Sequence, residues 1–547
     1  MADDHQRRLR ELSRFLPLGP ALAFVLLLVL VPVGVLFADS LAASGGVSAL
    51  LPALADPVNR RAIYNSLEQG GLSALLAGAL GYPVGILLGR YRFPGRDGLL
   101  AFLLVPFLLP SLVVILGFQE LFGPVGWLSS PFPGLAPLGS GLLGVLAVNA
   151  YFNAPMVALL TATSIEGTSK EQEEAVAVLG GTPGRAYREV WGPISAVGAG
   201  AGMLLTFLLS ALGFAAPLIV CGARCYTLEV RVWSLDQVLA SPAAAGVLAL
   251  ITVLLLTVPT LVYITLTERA HRRQTRSPRP ARPLPWRDPR SWPLIGYGAL
   301  FFAGVLLLLA AVLERSVVPA SGGLSALGWN ELFSSGVTGR LGFSTSTALT
   351  NTLAFASGAS FLAFLVAVVT AYARQRGLAR SGWLEYLLFL PLLVSPVLLA
   401  FGLATLWRPV IGGASSTWVL ILLSQATIAV PFTVQTLRLG LARLSPAPWE
   451  AARTLGRSPF GAHLDTELPR IRAGLIGAAL FAFAIGLGEF TATYFLFLPP
   501  FATLPVELDR LGALRLVPAQ EALGALLMLV SLVVFAAIEW GGRRIDL

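Results

Sequence analysis

Apolar residues fall along this chain in blocks of about 20 positions, the length that carries an α-helix across a bilayer. Twelve such blocks can be marked. They lie near 18–38, 64–89, 98–118, 141–164, 194–220 and 241–266 in the first half, and near 293–313, 347–373, 384–408, 416–437, 472–498 and 519–539 in the second. Within each block the apolar residues are continuous and do not alternate with period two. They therefore predict membrane-spanning helices and not the strands of a β-barrel. Between the blocks lie stretches rich in Arg, Gly and Pro. The expected class is an all-α polytopic membrane protein of about twelve transmembrane helices.

Composition agrees with the pattern. Of 547 residues, 56% are hydrophobic and 12% charged, against roughly 25% charged in an average soluble domain. So few charges cannot solvate a globular surface. The net charge of +9 comes almost entirely from Arg, since Lys170 is the only lysine. The arginines are scattered between apolar blocks, which argues against nucleic acid and for loops on the cytoplasmic side of a membrane. Arg7, Arg8, Arg10 and Arg14 precede the first block; Arg90, Arg92 and Arg96 follow the second; Arg185 and Arg188 follow the fourth; Arg543 and Arg544 close the chain. With twelve spans these all lie on one side. Both termini are thus expected in the cytoplasm, and the chain in a bacterial or archaeal plasma (inner) membrane as a multi-pass protein. The basic N-terminus runs into an apolar block too long for a signal peptide, so it reads as an uncleaved first span. From Glu268 to Arg290 there are eight arginines and five prolines. That segment is expected to be an extended, solvated tether near anionic headgroups.

The chain repeats itself. "VPFLLPSLVVILGF" (Val105 to Phe118) matches "LPLLVSPVLLAFGL" (Leu390 to Leu403) at an offset of 285 residues, Pro106 facing Pro391. After a shorter outer loop the offset becomes 276 and holds, pairing Pro155 with Pro431, Glu174 with Glu450, Gly180 with Gly456, Pro193 with Pro469 and Thr227 with Thr503. Six spans per half make this a parallel repeat, with its expected axis along the membrane normal. The expected organisation is a first repeat over 1–267, a linker over 268–292 and a second repeat over 293–547.

One repeated stretch is charged where its surroundings are apolar. "EEAVAVLGGTPGRAYREVWGP" runs from Glu173 to Pro193, and "WEAARTLGRSPFGAHLDTELP" from Trp449 to Pro469. Each predicts a short helix after a turn, where Ser169 or Ser445 is available as a cap. Glu171, Glu173 and Glu174 suit the positive end of its dipole. Gly180 and Gly456 then end or bend it, and Pro193 and Pro469 begin the return to the membrane. Two readings are open: a compact knob offered to a partner, or an interfacial helix that merely connects spans.

The residues resemble the EAA loop of ABC importer permeases. In the second copy Glu450, Ala451, Ala452, Gly456, Leu468 and Pro469 match that pattern. In the first copy Glu174, Ala175, Gly180 and Pro193 match it, while Val176 stands for the second Ala and Gly192 for Leu. The resemblance implies a type I importer permease fold of two tandem six-helix repeats. It also implies that both loops are coupling helices docking on two copies of a cytoplasmic ABC ATPase, with ATP and Mg bound by that partner. An extracytoplasmic binding protein would deliver the solute. "RYRFPGR", "FNAPM", "YTLEVRVW" and "GEFTATYFLFLPPFATLPVEL" are similar to the fused two-repeat permeases of ferric iron and thiamine importers. The motifs favour ferric iron over thiamine; phosphonates and polyamines are solutes of related members.

The chain itself lacks catalytic patterns. A P-loop needs Gly-X4-Gly-Lys-Ser/Thr, and Lys170 sits in "IEGTSKEQ". There is no HExxH, GxSxG or Cys/His cluster. The chain is therefore expected to be no enzyme and to bind no cofactor or metal. Cys221 and Cys225 in "CGARC" read as two incidental thiols, and His5, His271 and His463 as solvated loop residues. A secondary transporter driven by an ion gradient is the competing class, because Glu489 lies deep in an apolar block at a cost of about 2.5–3.5 kcal/mol. Glu489 either lines the solute pathway and favours a cation, or lies near the outer interface or bonds to a neighbouring helix. Its repeat counterpart is Gly213. Asn149, Asn153 and Gln425 are further pathway candidates, though hydrogen bonds between packed helices are the simpler role.

Overall fold

The computed structural model describes residues 19–167, 170–273, 282–319, 322–375, 394–441 and 447–543, together with 387, 390 and 391. The main helices are α1 (Gly19–Ala43), α2 (Pro57–Arg90), α3 (Ser111–Phe122), α4 (Gly141–Glu166), α5 (Gly192–Ala211) and α6 (Pro242–Arg273). The second half adds α7 (Trp292–Arg315), α8 (Thr345–Gln375), α9 (Pro396–Trp407), α10 (Thr417–Leu441), α11 (Leu468–Gly488) and α12 (Val517–Arg543). Among the described residues nine helices are long and apolar enough to cross a membrane, or up to eleven if two bent pairs each count as one span.

The shortfall from twelve has physical causes. The block at 98–118 is bent by 96° between Arg96–Leu108 and Ser111–Phe122. Leu109, preceding Pro110, takes an extended ψ of 139°, as the residue before proline must. In the second half Ser395 takes the place of Pro110: it is extended (ψ 153°), caps α9 through the Leu398 N–H at 3.1 Å, and is followed by Pro396. Part of the 384–408 block lies outside the described residues. The blocks at 194–220 and 472–498 are not continuous either. α5 ends at Ala211 and α11 at Gly488, after which the chain resumes as short turns of helix, Pro217–Cys221 and Thr491–Leu496.

Packing divides the chain into two compact units, Ser40–Leu332 with Leu516–Met528, and Met1–Asp39 with Phe333–Arg515 and Leu529–Leu547. These units are not the sequence halves, because each first helix packs with the other half. In the first unit α7 covers α2 and α3: Tyr297 Oη donates to the Leu80 carbonyl at 3.0 Å, and Arg315 Nε lies 2.7 Å from Glu120 Oε2. In the second unit Trp407 Nε1 of α9 donates to the Leu27 carbonyl of α1 at 3.0 Å. The core of the first unit is a close approach of α2 to α4. A Cβ at Gly81, Gly85 or Gly89 would come within 2.2, 2.5 or 2.8 Å of α4 atoms, so a small-residue stripe lets the two backbones meet.

Two expectations are corrected here. The linker is not wholly a solvated tether: α6 continues to Arg273, strand β1 (Tyr91–Arg92) pairs in parallel with β2 (Arg282–Pro283), and Leu284 is buried. Phe93 and Trp286 meet edge to face at 6.1 Å, the apolar contact that draws this end of the linker in. Residues 274–281 lie outside the described residues, as does His5. Cys221 and Cys225 are not incidental thiols but a disulfide, their Cα atoms 5.5 Å apart, because the turn after Cys221 folds back by one helical step.

The segments after the broken helices are held in the same way in both units. Asn65 Nδ2 of α2 donates to the Tyr226 carbonyl at 2.9 Å, and Ser66 Oγ accepts the Leu228 N–H at 2.8 Å. Asn351 Nδ2 of α8 donates to the Ala502 carbonyl at 2.8 Å and the Pro500 carbonyl at 2.9 Å, and Thr352 Oγ1 accepts the Leu504 N–H at 2.8 Å. Removing Asn65 or Asn351 leaves a backbone carbonyl without its donor, and removing Ser66 or Thr352 leaves a buried N–H without its acceptor, at about 1–3 kcal/mol each. Asn351→Leu should therefore lower the thermal unfolding midpoint of the purified chain, while Thr350→Val beside it should not. Equal midpoints for the two variants would contradict this account of the segment.

Candidate functional site

The repeated charged stretches form two knobs built alike. The first is a helix over Lys170–Val178, the second a helix over Ala447–Thr454. Gly180 and Gly456 follow with φ of 71° and 87°, the left-handed region where a Cβ is costly. Both ends are Schellman motifs. Gly181 N–H donates to the Val176 carbonyl at 2.8 Å and Gly180 N–H to Ala177 at 3.0 Å; Arg457 N–H donates to Ala452 at 3.0 Å and Gly456 N–H to Arg453 at 3.1 Å. A second short helix then starts at Pro183 or Pro459 and passes through a π-turn, Tyr187–Trp191 or His463–Glu467. Pro193 and Pro469 are the second residues of α5 and α11, directly after those π-turns. Ser169 and Ser445, the expected caps, lie outside the described residues, as do the side chains of Glu171, Glu173 and His271.

The first copy's departures have a structural reading. Val176 is buried against Ala186 and Val190. In the second copy the half-buried Ala452 and buried Ala462 occupy the same places. His463 is not a solvated loop residue. Its Nδ1 lies 2.5 Å from Glu467 Oε2, with side-chain exposures of 15% and 5%. Glu174, Ala175, Glu450 and Ala451 are exposed. Beside them Val178, Leu179 and Leu455 are exposed by 86%, 76% and 85%. Each knob thus exposes apolar side chains next to an exposed glutamate, Glu174 or Glu450.

The pathway candidates fall into two separate networks. In the second unit Glu489 ends α11 instead of sitting in mid-span. Its carboxylate accepts the Ala492 N–H (2.7 Å), the Thr493 N–H (2.9 Å) and the Thr493 hydroxyl (2.6 Å). Gln425 Nε2 of α10 donates to the same hydroxyl at 3.1 Å. In the first unit Asn149 Nδ2 donates to Ser73 Oγ at 3.1 Å, and Asn153 Nδ2 to the Asn149 carbonyl at 2.7 Å. Asn149 and Gln425 are repeat counterparts, both tying α4 or α10 to an adjoining element. Sequence reasoning missed a further matched pair: Arg231 Nε donates to Asn59 Oδ1 (3.1 Å) where Thr345 Oγ1 donates to Glu507 Oε1 (2.6 Å). The repeat offset was its available signal.

Residues 81–276 match the family described as "Binding-protein-dependent transport system inner membrane component". A probable molybdenum ABC transporter permease of Haloferax volcanii is 34% identical over 42% of this chain and 83% of its own length. The chain belongs to the ABC importer permeases. The thiamine transport system permease ThiP of Escherichia coli is 27% identical over 87% of each chain. A putative 2-aminoethylphosphonate permease, PhnV of Salmonella paratyphi A, is 26% identical over 45% of this chain and 92% of its own. The permease is a multi-pass inner-membrane protein with the type I importer fold, and a transport subunit that works with an ATPase and a binding protein.

A carboxylate that accepts three bonds from one turn couples to each donor. Glu489→Ala and Thr493→Val should each destabilise the permease, and the double variant by less than the sum. The interaction energy expected in a double-mutant cycle is about 0.5–3 kcal/mol, read from unfolding in detergent. Additive losses would contradict the shared network.

Proposed function

We propose that this chain is the membrane permease of an ATP-driven thiamine importer. The supporting observation is one of extent: resemblance to thiamine permeases runs over 87% of the chain, through both repeats, whereas the molybdenum and aminoethylphosphonate relatives match 42% and 45% of it. Ferric iron, which the motifs favoured, is named by none of these relatives.

In this reading the two knobs are coupling helices, each seated in the groove of one ATPase subunit, so that two copies serve one chain. Glu174, Ala175, Gly180 and Pro193, with Glu450, Ala451, Ala452, Gly456 and Pro469, shape those contacts. Val178, Leu179 and Leu455 supply the apolar surface. ATP and Mg belong to the partner, which hydrolyses ATP. The arginine distribution supports a cytoplasmic position for the knobs and both termini, and the binding protein then docks on the opposite face. ATP binding moves both knobs and turns the path outward; hydrolysis resets it. Glu489, Asn149, Asn153 and Gln425 hold the elements around that path in register, as their hydrogen bonds suggest, and need not touch solute.

A non-glycine residue in the left-handed region costs about 1–2 kcal/mol, so the knob geometry can be tested directly. Gly180→Val with Gly456→Val should leave the permease in the membrane but abolish its stimulation of the ATPase, and Gly456→Asn should retain most of it. Wild-type stimulation by the double Val variant would contradict the coupling role. For the solute, vesicles holding permease, ATPase and binding protein should take up labelled thiamine only with ATP, uncompeted by Fe3+ or molybdate. Uptake of iron in its place, or uptake by the permease alone on a proton gradient, would overturn the proposal.

A further inference from the structure

A cavity of about 400 Å³ lies within the first unit, between α2, α3, α4 and α7. Its wall is hydrocarbon, with Leu76 and Leu80 of α2, Tyr151 of α4 and Leu300, Gly304 and Leu308 of α7 among the residues lining it. The tyrosine hydroxyls on that wall are already engaged. Tyr297 Oη donates to the Leu80 carbonyl at 3.0 Å, and Tyr151 Oη to the Val305 carbonyl at 3.3 Å. A polar solute would find no partner there. The cavity is open on one side: Leu300 is 71% exposed, and nothing stands within 4 Å of where a Cβ at Gly304 would lie. Leu306 and Leu313 continue the same exposed apolar surface along α7, as expected of a helix that meets lipid.

The dimensions match one leaflet. From Tyr297 to Leu308 an α-helix rises about 16 Å at 1.5 Å per residue; half of a ~30 Å hydrocarbon core is about 15 Å. Beyond Tyr297, at the linker end of α7, the chain carries headgroup chemistry. Trp286 and Trp292 are 54% and 59% exposed, and Trp292 Nε1 donates to the Trp286 carbonyl at 3.0 Å. Arg287 and Arg290 are exposed beside them, and the Leu284 N–H, 3.0 Å from the Arg92 carbonyl, brings Arg92 to the same end. Exposed tryptophans with arginines mark the interface of a leaflet that carries anionic lipid.

We propose that this groove holds an acyl chain of an anionic phospholipid from the leaflet on the linker's side, its phosphate lying against Arg287, Arg290 and Arg92. The groove runs along the seam where α7 packs on α2 and α4, so the bound chain fills that seam. The inference does not depend on which solute is transported or on the ATPase.

The test uses the full chain in phosphatidylcholine nanodiscs carrying a trace of phosphatidylglycerol or phosphatidylcholine with a photoreactive acyl tail, labelled peptides being mapped by mass spectrometry. Phosphatidylglycerol label should concentrate on the segments holding Leu76–Leu80 and Leu300–Leu308, several-fold above the phosphatidylcholine probe. Gly304→Leu, which fills the open side, should cut that labelling several-fold; Gly477→Leu, with equally open space in the other unit, should leave it unchanged. Arg287→Gln with Arg290→Gln should bring the two probes level. Even labelling of all lipid-facing helices, or unchanged labelling in Gly304→Leu, would mean ordinary boundary lipid and overturn the site. Equal labelling by both probes in the unaltered chain would overturn its anionic character.

Discussion

A bilayer interior offers a peptide group no water, so every N–H and C=O that leaves helical geometry inside it needs a partner from the chain itself. This permease leaves helical geometry repeatedly, near Leu109, Ser395, Gly213 and Glu489, and in each half side chains from a neighbouring helix hold the segment that follows the break after α5 or α11. Asn65 and Ser66 do this from α2, and Asn351 and Thr352 from α8, reaching segments more than 140 residues away in sequence. The same rule gives Glu489 its position. A carboxylate at the end of α11 takes the free N–H groups of the following helical turn, a task that Gly213 does not perform in the first half.

The knobs solve a different problem. They must keep their shape with very little core of their own. Each does so with a glycine in the left-handed region and paired backbone bonds across it, which turn the chain sharply enough for the return segment to pack beneath. Val176, Ala186 and Val190 form the small core under the first knob. Leucine side chains are left outward on both, which is costly for a free surface and sensible for one that is covered in a complex.

Much of this was legible in the sequence, for physical reasons. Hydropathy reports membrane burial directly, so the spans at 141–164, 241–266, 416–437 and 519–539 lie close to the observed helices, while those at 194–220 and 472–498 run nine and ten residues past the ends of α5 and α11. The offset of 276 residues reported the duplication, and with it the equivalence of Gly180 and Gly456. What hydropathy does not carry is backbone direction. The 96° bend at Leu109–Pro110 lies inside a block whose composition is uniformly apolar, and only the proline hints at it. Long-range partners were also hidden. Nothing local in residues 19–39 tells that they pack with the second half, nor that α7 packs with the first. The pairing of Cys221 with Cys225 and of His463 with Glu467 depends on turns whose geometry single-residue patterns do not specify. Arg231 and Glu507 occupy matched places with opposite charge, so a repeat alignment finds the position but not its chemistry.

On the proposed function, the two knobs are equivalent docking elements for two copies of one ATPase. Cysteine cross-linking tests it most directly. Leu179→Cys and Leu455→Cys would be introduced singly and together into a permease whose native cysteines are replaced, and cross-linked to the co-purified ATPase. Each single variant should capture one ATPase subunit through the same surface, and the double variant should capture two. Capture from one knob alone, or through different ATPase surfaces, would contradict this equivalence.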